Sequence, residues 1–150
     1  MTLFWRIKMY HIPVISNQEN IADILDELYL EELDFQVISI FEFNTRQEEL
    51  DGPVLFYFEE DENEAKNRLM QQEIIKHRKN HRDSFTMVVL RSDNVASLRK
   101  ALELHVDEAI IRSDYPREPD YVKKRQELLR ALVYRLIFQK KTTFERLKLE

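Results

Sequence analysis

Short runs that are apolar on both alternating faces, separated by segments of helical period, constrain this chain more than any other feature of its sequence. Residues 35–43 and 54–58 are rich in β-branched and aromatic side chains on both faces, as strands covered on each side by helices require. Both are expected to be central strands. Residues 85–90 and 106–111 read as two more, and a first strand is expected within 5–15.

The intervening segments carry helical signals. Ser16 and Glu19 have the spacing of a capping box, and Ile21, Ile24, Leu25 and Leu28 fall on one helical face. Residues 62–82 are helical in composition, with Met70, Ile74, His77 and His81 sharing a face. Residues 95–104 read as a helix with Val95, Leu98, Ala101 and Leu102 inward. A last helix is expected from near Pro119 to about Phe138, since proline suits a first helical turn and Val122, Leu129, Leu132, Val133 and Leu136 keep the period. Leu128, Ile137 and Phe138 widen its apolar arc beyond what one sheet face needs. The excess asks for a second contact, either residues 142–149 folded back or another subunit.

Alternating strand and helix argue for an α/β fold of three layers, with a mostly parallel five-stranded sheet and helices on both faces. One link is short. Only residues 45–52 separate the second and third strands as read above, fewer than the dozen or so a parallel crossover needs. Either the second helix is a single turn or these two strands form an antiparallel hairpin. No repeat or linker divides the sequence, so residues 1–150 read as one domain with a short C-terminal extension over 139–150.

Composition removes several functions. With 43% hydrophobic and 34% charged residues the chain is globular, and with no cysteine it can form neither disulfides nor thiolate metal sites. A reducing, cytoplasmic location is expected, with no signal-peptide core and no apolar run long enough to span a membrane. The net charge of −5 offers no general attraction to nucleic acid, and the single glycine, Gly52, excludes glycine-rich phosphate loops.

Two passages carry a resemblance. Residues 101–113, ALELHVDEAIIRS, match in spacing the A-L-x-A-G-A-D-D-Y-L-x-K-P passage of response-regulator receiver domains, and residues 12–21, IPVISNQENI, resemble the first strand and first-helix entry of the same family. The resemblance implies a flavodoxin-like, receiver-like fold. It also implies a site, because receivers accept a phosphoryl group on an aspartate at the end of strand three, beside Mg²⁺ held by an acidic pair at the end of strand one. In this chain the pair becomes Ser16 and Asn17, Glu59 ends the third strand, Ser92 takes the switch-hydroxyl position and Arg112 replaces the family's lysine. Two neutral side chains are poor ligands for a hard cation. The implied function is a pseudo-receiver that binds a protein partner through the fourth helix, fifth strand and fifth helix, without a cofactor, and that could dimerise through the C-terminal helix. His105 and Ser113 depart from the family's glycine and proline.

Other clusters are weighed against plainer explanations. Glu59, Glu60, Asp61, Glu62 and Glu64, with Asp93, could hold a cation for phosphoryl transfer or hydrolysis, but acidic residues also suit a helix N-terminus. His77 and His81 have metal-ligand spacing with no third ligand in view. Lys76, Arg78, Lys79 and Arg82 could contact nucleic acid, joined by basic residues within 123–141, although a solvated helix end that favours cations is the better explanation.

Overall fold

The computed structural model describes residues 10–46 and 52–149, with side chains described as far as 139. Five strands, β1 (Tyr10–Ser16), β2 (Leu33–Ser39), β3 (Leu55–Glu59), β4 (Phe85–Leu90) and β5 (Glu108–Ile111), alternate with α1 (Ile21–Asp26), α2 (Ile40–Arg46), α3 (Glu64–Arg78), α4 (Val95–Glu103) and α5 (Glu118–Leu149). The sheet order is β2-β1-β3-β4-β5 and every pairing is parallel. This is the expected three-layer α/β architecture, and the antiparallel hairpin between strands two and three does not form.

The hairpin alternative arose from a misplaced boundary. Ile40 and Phe43 are both buried while Phe41 is 58% exposed, a three-residue spacing that a helix satisfies and a strand cannot. The Ser39 hydroxyl accepts the Glu42 N–H at 3.1 Å and starts α2. With β2 ending at Ser39, fifteen residues (40–54) lead to β3, enough for a parallel crossover. Nor is β2 central, because it ends the described sheet and exposes Gln36 and Val37. Pro13 is tolerated in β1 because β3 pairs with β1 only from Val14 onward, so at Pro13 only β2 lies alongside.

Two buried clusters lie on opposite faces of the sheet. α1 and α5 cover one through Ile24, Leu25, Leu28, Leu129, Leu132 and Leu136, and α2, α3 and α4 cover the other through Phe43, Met70, Ile74, Ala101 and Leu104. The inward set expected for α4 is corrected. Of Val95, Leu98, Ala101 and Leu102 only Ala101 is buried, joined by Ser97 and Leu104, while Val95 and Leu102 are 69% and 76% exposed. The sheet leaves α4 little room to bury, and its apolar stripe faces outward.

At its end α4 closes with the paired bonds of a left-handed cap, His105 N–H to Leu102 O at 3.1 Å and Val106 N–H to Ala101 O at 3.5 Å, with His105 at φ 52°. His105 thus adopts the conformation that usually selects glycine. Beneath it Arg78 donates to the His105 carbonyl and pairs with Asp107, which also accepts the buried Thr86 N–H at 2.7 Å. α5 is 32 residues long, about 48 Å at 1.5 Å per residue, roughly twice the length of a seven-residue strand. Residues 142–149 continue this helix and do not fold back. The expected strand start at 5–9 lies outside the described residues.

Candidate functional site

The chain leaves β1 toward β2 on one side and returns to β3 on the other, so the carboxyl ends of β1 and β3 form a topological switch point, where sheets of this kind bring ligands. A crevice of about 290 Å³ opens there, lined among others by Glu59, Glu60, Arg91, Arg112, Glu118 and Tyr121. Asn17 does not line it but is bonded to Glu59, which does. Its Nδ2 donates to the Glu59 carbonyl at 2.6 Å and its Oδ1 accepts the Glu59 N–H at 3.1 Å. The side chain thereby acts as one more rung between the two strands, with both polar atoms used.

Ser16 is buried and accepts the Gln18 N–H at 3.0 Å, so it turns the chain after β1, and the capping box read with Glu19 is not realised. The first helix begins only at Ile21, with Asn20 before it making no side-chain cap. Glu59 accepts the hydroxyl of the buried Tyr57 at 2.8 Å. Burial, then the Glu59 carboxylate and the nearby Tyr121, drive the Tyr57 hydroxyl far above its ordinary ionisation range. Burial also raises Tyr121, with Glu59 adding to it.

Arg112 is held by Glu118 and the Tyr115 carbonyl, and its guanidinium lies 4.0 Å from the centre of the Tyr121 ring. Arg125 approaches the same ring and pairs with Glu27 at 3.1 Å, tying α5 to the end of α1. Sequence reading missed Tyr121, Arg125, Glu118 and Glu27. The four-residue spacing of Tyr121 and Arg125 was the available signal, since it places both on one face of α5.

Glu60 has a different part to play. One carboxylate oxygen accepts the Arg91 N–H at 3.0 Å and the other the Ser97 hydroxyl at 2.8 Å, which fastens the β3–α3 loop to the start of α4. Asn94 caps that helix, accepting the Ser97 N–H at 2.8 Å. Ser92 accepts from Asn94 and lines the adjoining cleft with Glu60 and Lys100, across from the crevice that holds Glu59 and Arg112. Asp93 is exposed and lines neither cleft.

The Mg²⁺ implied by the resemblance does not fit these residues. Asn17 and Ser16 are neutral and bonded to Glu59 and Gln18, so the end of β1 offers no charged ligand, and the carboxylates of Glu59, Glu60 and Glu118 each already accept a hydrogen bond. Among the described residues no group of three His, Asp or Glu side chains is placed to hold a metal ion. Of Glu59, Glu60 and Asp93, the first two line the crevice and Asp93 does not.

The basic segment is also divided. Lys76, Lys79 and Arg82 are exposed, whereas Arg78 is withdrawn into its pair with Asp107. His77 is buried against Phe43 and Phe56, its Nε2 3.1 Å from the Gly52 carbonyl, and stacks on His81. Lys123 and Lys124 lie at the carboxyl edge of the strands, near Arg125, and residues 76–82 at the amino edge, so the structure does not bring the two together. The side chains of Lys140 and Lys141 lie outside the described residues. No described helix is long and apolar enough to cross a membrane.

Solved structures share this architecture. A signal receiver domain of a two-component histidine kinase from Clostridium thermocellum aligns with a TM-score of 0.59 at 17% identity, covering 81% of this chain and 95% of its own. A CheY-like response regulator receiver domain protein from Methanospirillum hungatei aligns at 0.55 with 14% identity, covering 89% and 98%. The receiver domain of an HD domain-containing protein from Pseudomonas fluorescens aligns at 0.55 with 16% identity, covering 87% and 97%. No family model matches the sequence and no curated protein is similar to it. The chain has the receiver fold.

Proposed function

We propose that this receiver-like domain signals by binding a protein partner, without enzymatic turnover and without phosphorylation at the end of β3. The observation that carries the reading is Asn17, whose amide is spent on both backbone groups of Glu59. A crevice that accepts a phosphoryl group needs ligands free for a cation. Here the corresponding polar atoms are closed on one another.

The partner surface is the α4–β5–α5 face. Val95, Leu98 and Leu102 form a stripe at helical spacing on α4, respectively 69%, 39% and 76% exposed. Glu60 and Asn94 hold the start of that helix, so the stripe is presented by a fixed element. A homodimer is one form the contact can take, and the continuation of α5 past the sheet gives a second copy further surface.

Amide NMR tests the chemical half of the proposal. Adding Mg²⁺ with beryllofluoride or acetyl phosphate should leave the resonances around Glu59 and Arg112 unchanged, and a saturable, Mg²⁺-dependent shift there would overturn it. The surface half is tested by replacing Val95, Leu98 and Leu102 with serine. Sedimentation and affinity capture should then lose self-association or partner, with folding intact, and full retention of both would remove the face from consideration.

A further inference from the structure

Buried polar groups in a folded chain are nearly always hydrogen-bonded, so an exception marks a place where the partner comes from elsewhere. Among the described residues two side-chain atoms are such exceptions, the hydroxyl of Tyr121 and Nε of Arg125. They are neighbours. Tyr121 and Arg125 stand one turn apart on α5, 4% and 7% exposed, and the Arg125 guanidinium lies 5.3 Å from the centre of the Tyr121 ring. Burial and Glu59 hold the Tyr121 hydroxyl protonated, while Tyr57 and Arg125 oppose them from close by without reaching hydrogen-bond geometry with it.

Both residues line the crevice of about 290 Å³ at the carboxyl ends of the strands. The chemistry of the two atoms says what would complete them. An arginine Nε–H can only donate, and a protonated tyrosine hydroxyl has a hydrogen to give, so the absent partner is an acceptor. Arg91 and Arg112 line the same crevice, and guanidinium groups favour an acceptor that is planar and charged. Glu59, Glu60 and Glu118 are also in the lining and balance the three arginines one for one. A wall without net charge takes a single negative charge more readily than the larger charge of a phosphate.

We propose that this crevice binds a small organic acid, whose carboxylate accepts from the Tyr121 hydroxyl and from Nε of Arg125. Arg112, whose guanidinium lies 4.0 Å from the centre of the Tyr121 ring and whose side chain is 34% exposed, turns aside to admit the acid and closes on it. No cation takes part. The proposal rests on the reading above, in which the same crevice is closed to magnesium, and gives that crevice a ligand class. Arg125 is tied to Glu27 at the end of α1 and Arg112 to Glu118 at the start of α5. A bound acid would therefore brace α5, one flank of the proposed partner face.

The test uses the full chain in EDTA at constant ionic strength, with acetate and butyrate as probes and chloride, acetamide and inorganic phosphate as controls. The Arg125 Nε–H resonance, assigned by its loss in Arg125→Lys, should shift saturably with both acids and with none of the controls. Tyr121→Phe removes a hydroxyl that has no partner, so the ligand-free variant should keep its urea midpoint while its affinity for acetate falls about tenfold, the worth of one hydrogen bond to a charged group. Four results would overturn the assignment: an Arg125 resonance unmoved by either acid; a response to chloride or phosphate as large as to the acids; an affinity unchanged in Tyr121→Phe; or a ligand-free Tyr121→Phe chain of lower stability, which would give the hydroxyl to an internal water. Binding that requires Mg²⁺ would overturn this site and the magnesium-free reading together, whereas silence with and without Mg²⁺ would remove the acid alone.

Discussion

Removing the Asp107 carboxylate should cost this domain about 3 kcal/mol. One Asp107 oxygen accepts the N–H of Thr86, a fully buried residue in β4, at 2.7 Å, and also pairs with Arg78 at 3.3 Å. In Asp107→Ala the Thr86 N–H is left buried without its acceptor, at about 1–3 kcal/mol. The ion pair is only partly exposed, at 19% and 16% for the two side chains. Its loss falls between the small value of a surface pair and the 3–5 kcal/mol of a buried one, about 1–2 kcal/mol. Arg78→Met keeps the Thr86 N–H bond to Asp107 and the aliphatic stem but also gives up the bonds to the Thr86 hydroxyl at 3.2 Å and the His105 carbonyl at 3.0 Å, so it should cost a comparable amount. Urea unfolding reads both, and at a slope of about 2 kcal/mol per M the alanine variant's midpoint should fall by about 1.5 M. A loss below about 1 kcal/mol for either variant would refute the reasoning. The experiment also separates Arg78 as a structural residue from Arg78 as a nucleic-acid contact, because the latter predicts unchanged stability.

His105→Gly should stabilise the chain by about 1 kcal/mol in the same assay, because His105 is held at φ 52° where glycine meets no steric penalty. Folding drives the Tyr57 hydroxyl above its ordinary range, so the native chain keeps a proton that the unfolded chain releases near pH 10. The associated stability is whole below that pH and falls as pH rises beyond it, by about 1.4 kcal/mol per unit for each such tyrosine. Tyr57→Phe should make the alkaline slope shallower by one proton. Asn67, buried, brackets Asp61 with two backbone bonds of 2.9 and 2.8 Å, and Asn67→Ala should lower the thermal midpoint by several degrees, for a loss of about 2 kcal/mol.

Most of the sheet was legible because its strands are marked by composition. β3 and β4 are buried on both faces and their limits follow from residues 54–58 and 85–90 almost unchanged. β2 was harder, since an apolar run that passes from strand to helix gives no change of composition at the junction. The discriminating detail is Ser39 with Glu42, a capping spacing that the hydroxyl realises, while the same spacing at Ser16 and Glu19 is not realised. Spacing alone cannot choose between them, because Ser16 and Ser39 end paired seven-residue strands and differ only in surroundings, Ser16 being buried and turned toward Gln18 while Ser39 is exposed. The orientation of α4 was misread for a related reason. Its strongest apolar periodicity belongs to the exposed side, so a rule that turns the most apolar face inward selects the wrong stripe.

Of the candidate site, the residue types were visible and their pairings were not. Glu59 and Arg112 line one crevice and Asn17 is bonded to Glu59, and the ties between the elements that build it join residues far apart in sequence. Asn17 finds Glu59 across 42 positions and Arg125 finds Glu27 across 98. Glu60 was grouped with its acidic neighbours on charge alone. Its bonds to Arg91 and Ser97 separate it from them, and they need the β4–α4 connection to be in place first.

Restoring a carboxylate at position 17 therefore makes a sharper test than removing one elsewhere. Asn17→Asp keeps an acceptor for the Glu59 N–H but loses the Nδ2 donor, and it sets a charged oxygen against the Glu59 carbonyl that Nδ2 reaches at 2.6 Å. The lost bond and the repulsion together should cost about 2 kcal/mol at neutral pH. Protonation supplies an O–H able to donate to that carbonyl, and the repulsion raises the carboxyl's folded-state pKa above its unfolded value of about 4, so the loss should shrink as pH falls through that raised value and level off near pH 4. Magnesium is the deciding addition. If the crevice works by shape, as Tyr57 and Arg112 bonded to its own carboxylates suggest, millimolar Mg²⁺ will not restore the urea midpoint of the variant. A midpoint that rises saturably with Mg²⁺ would mean that a single substitution recovers a cation site, and that the domain lies one side chain away from receiver chemistry.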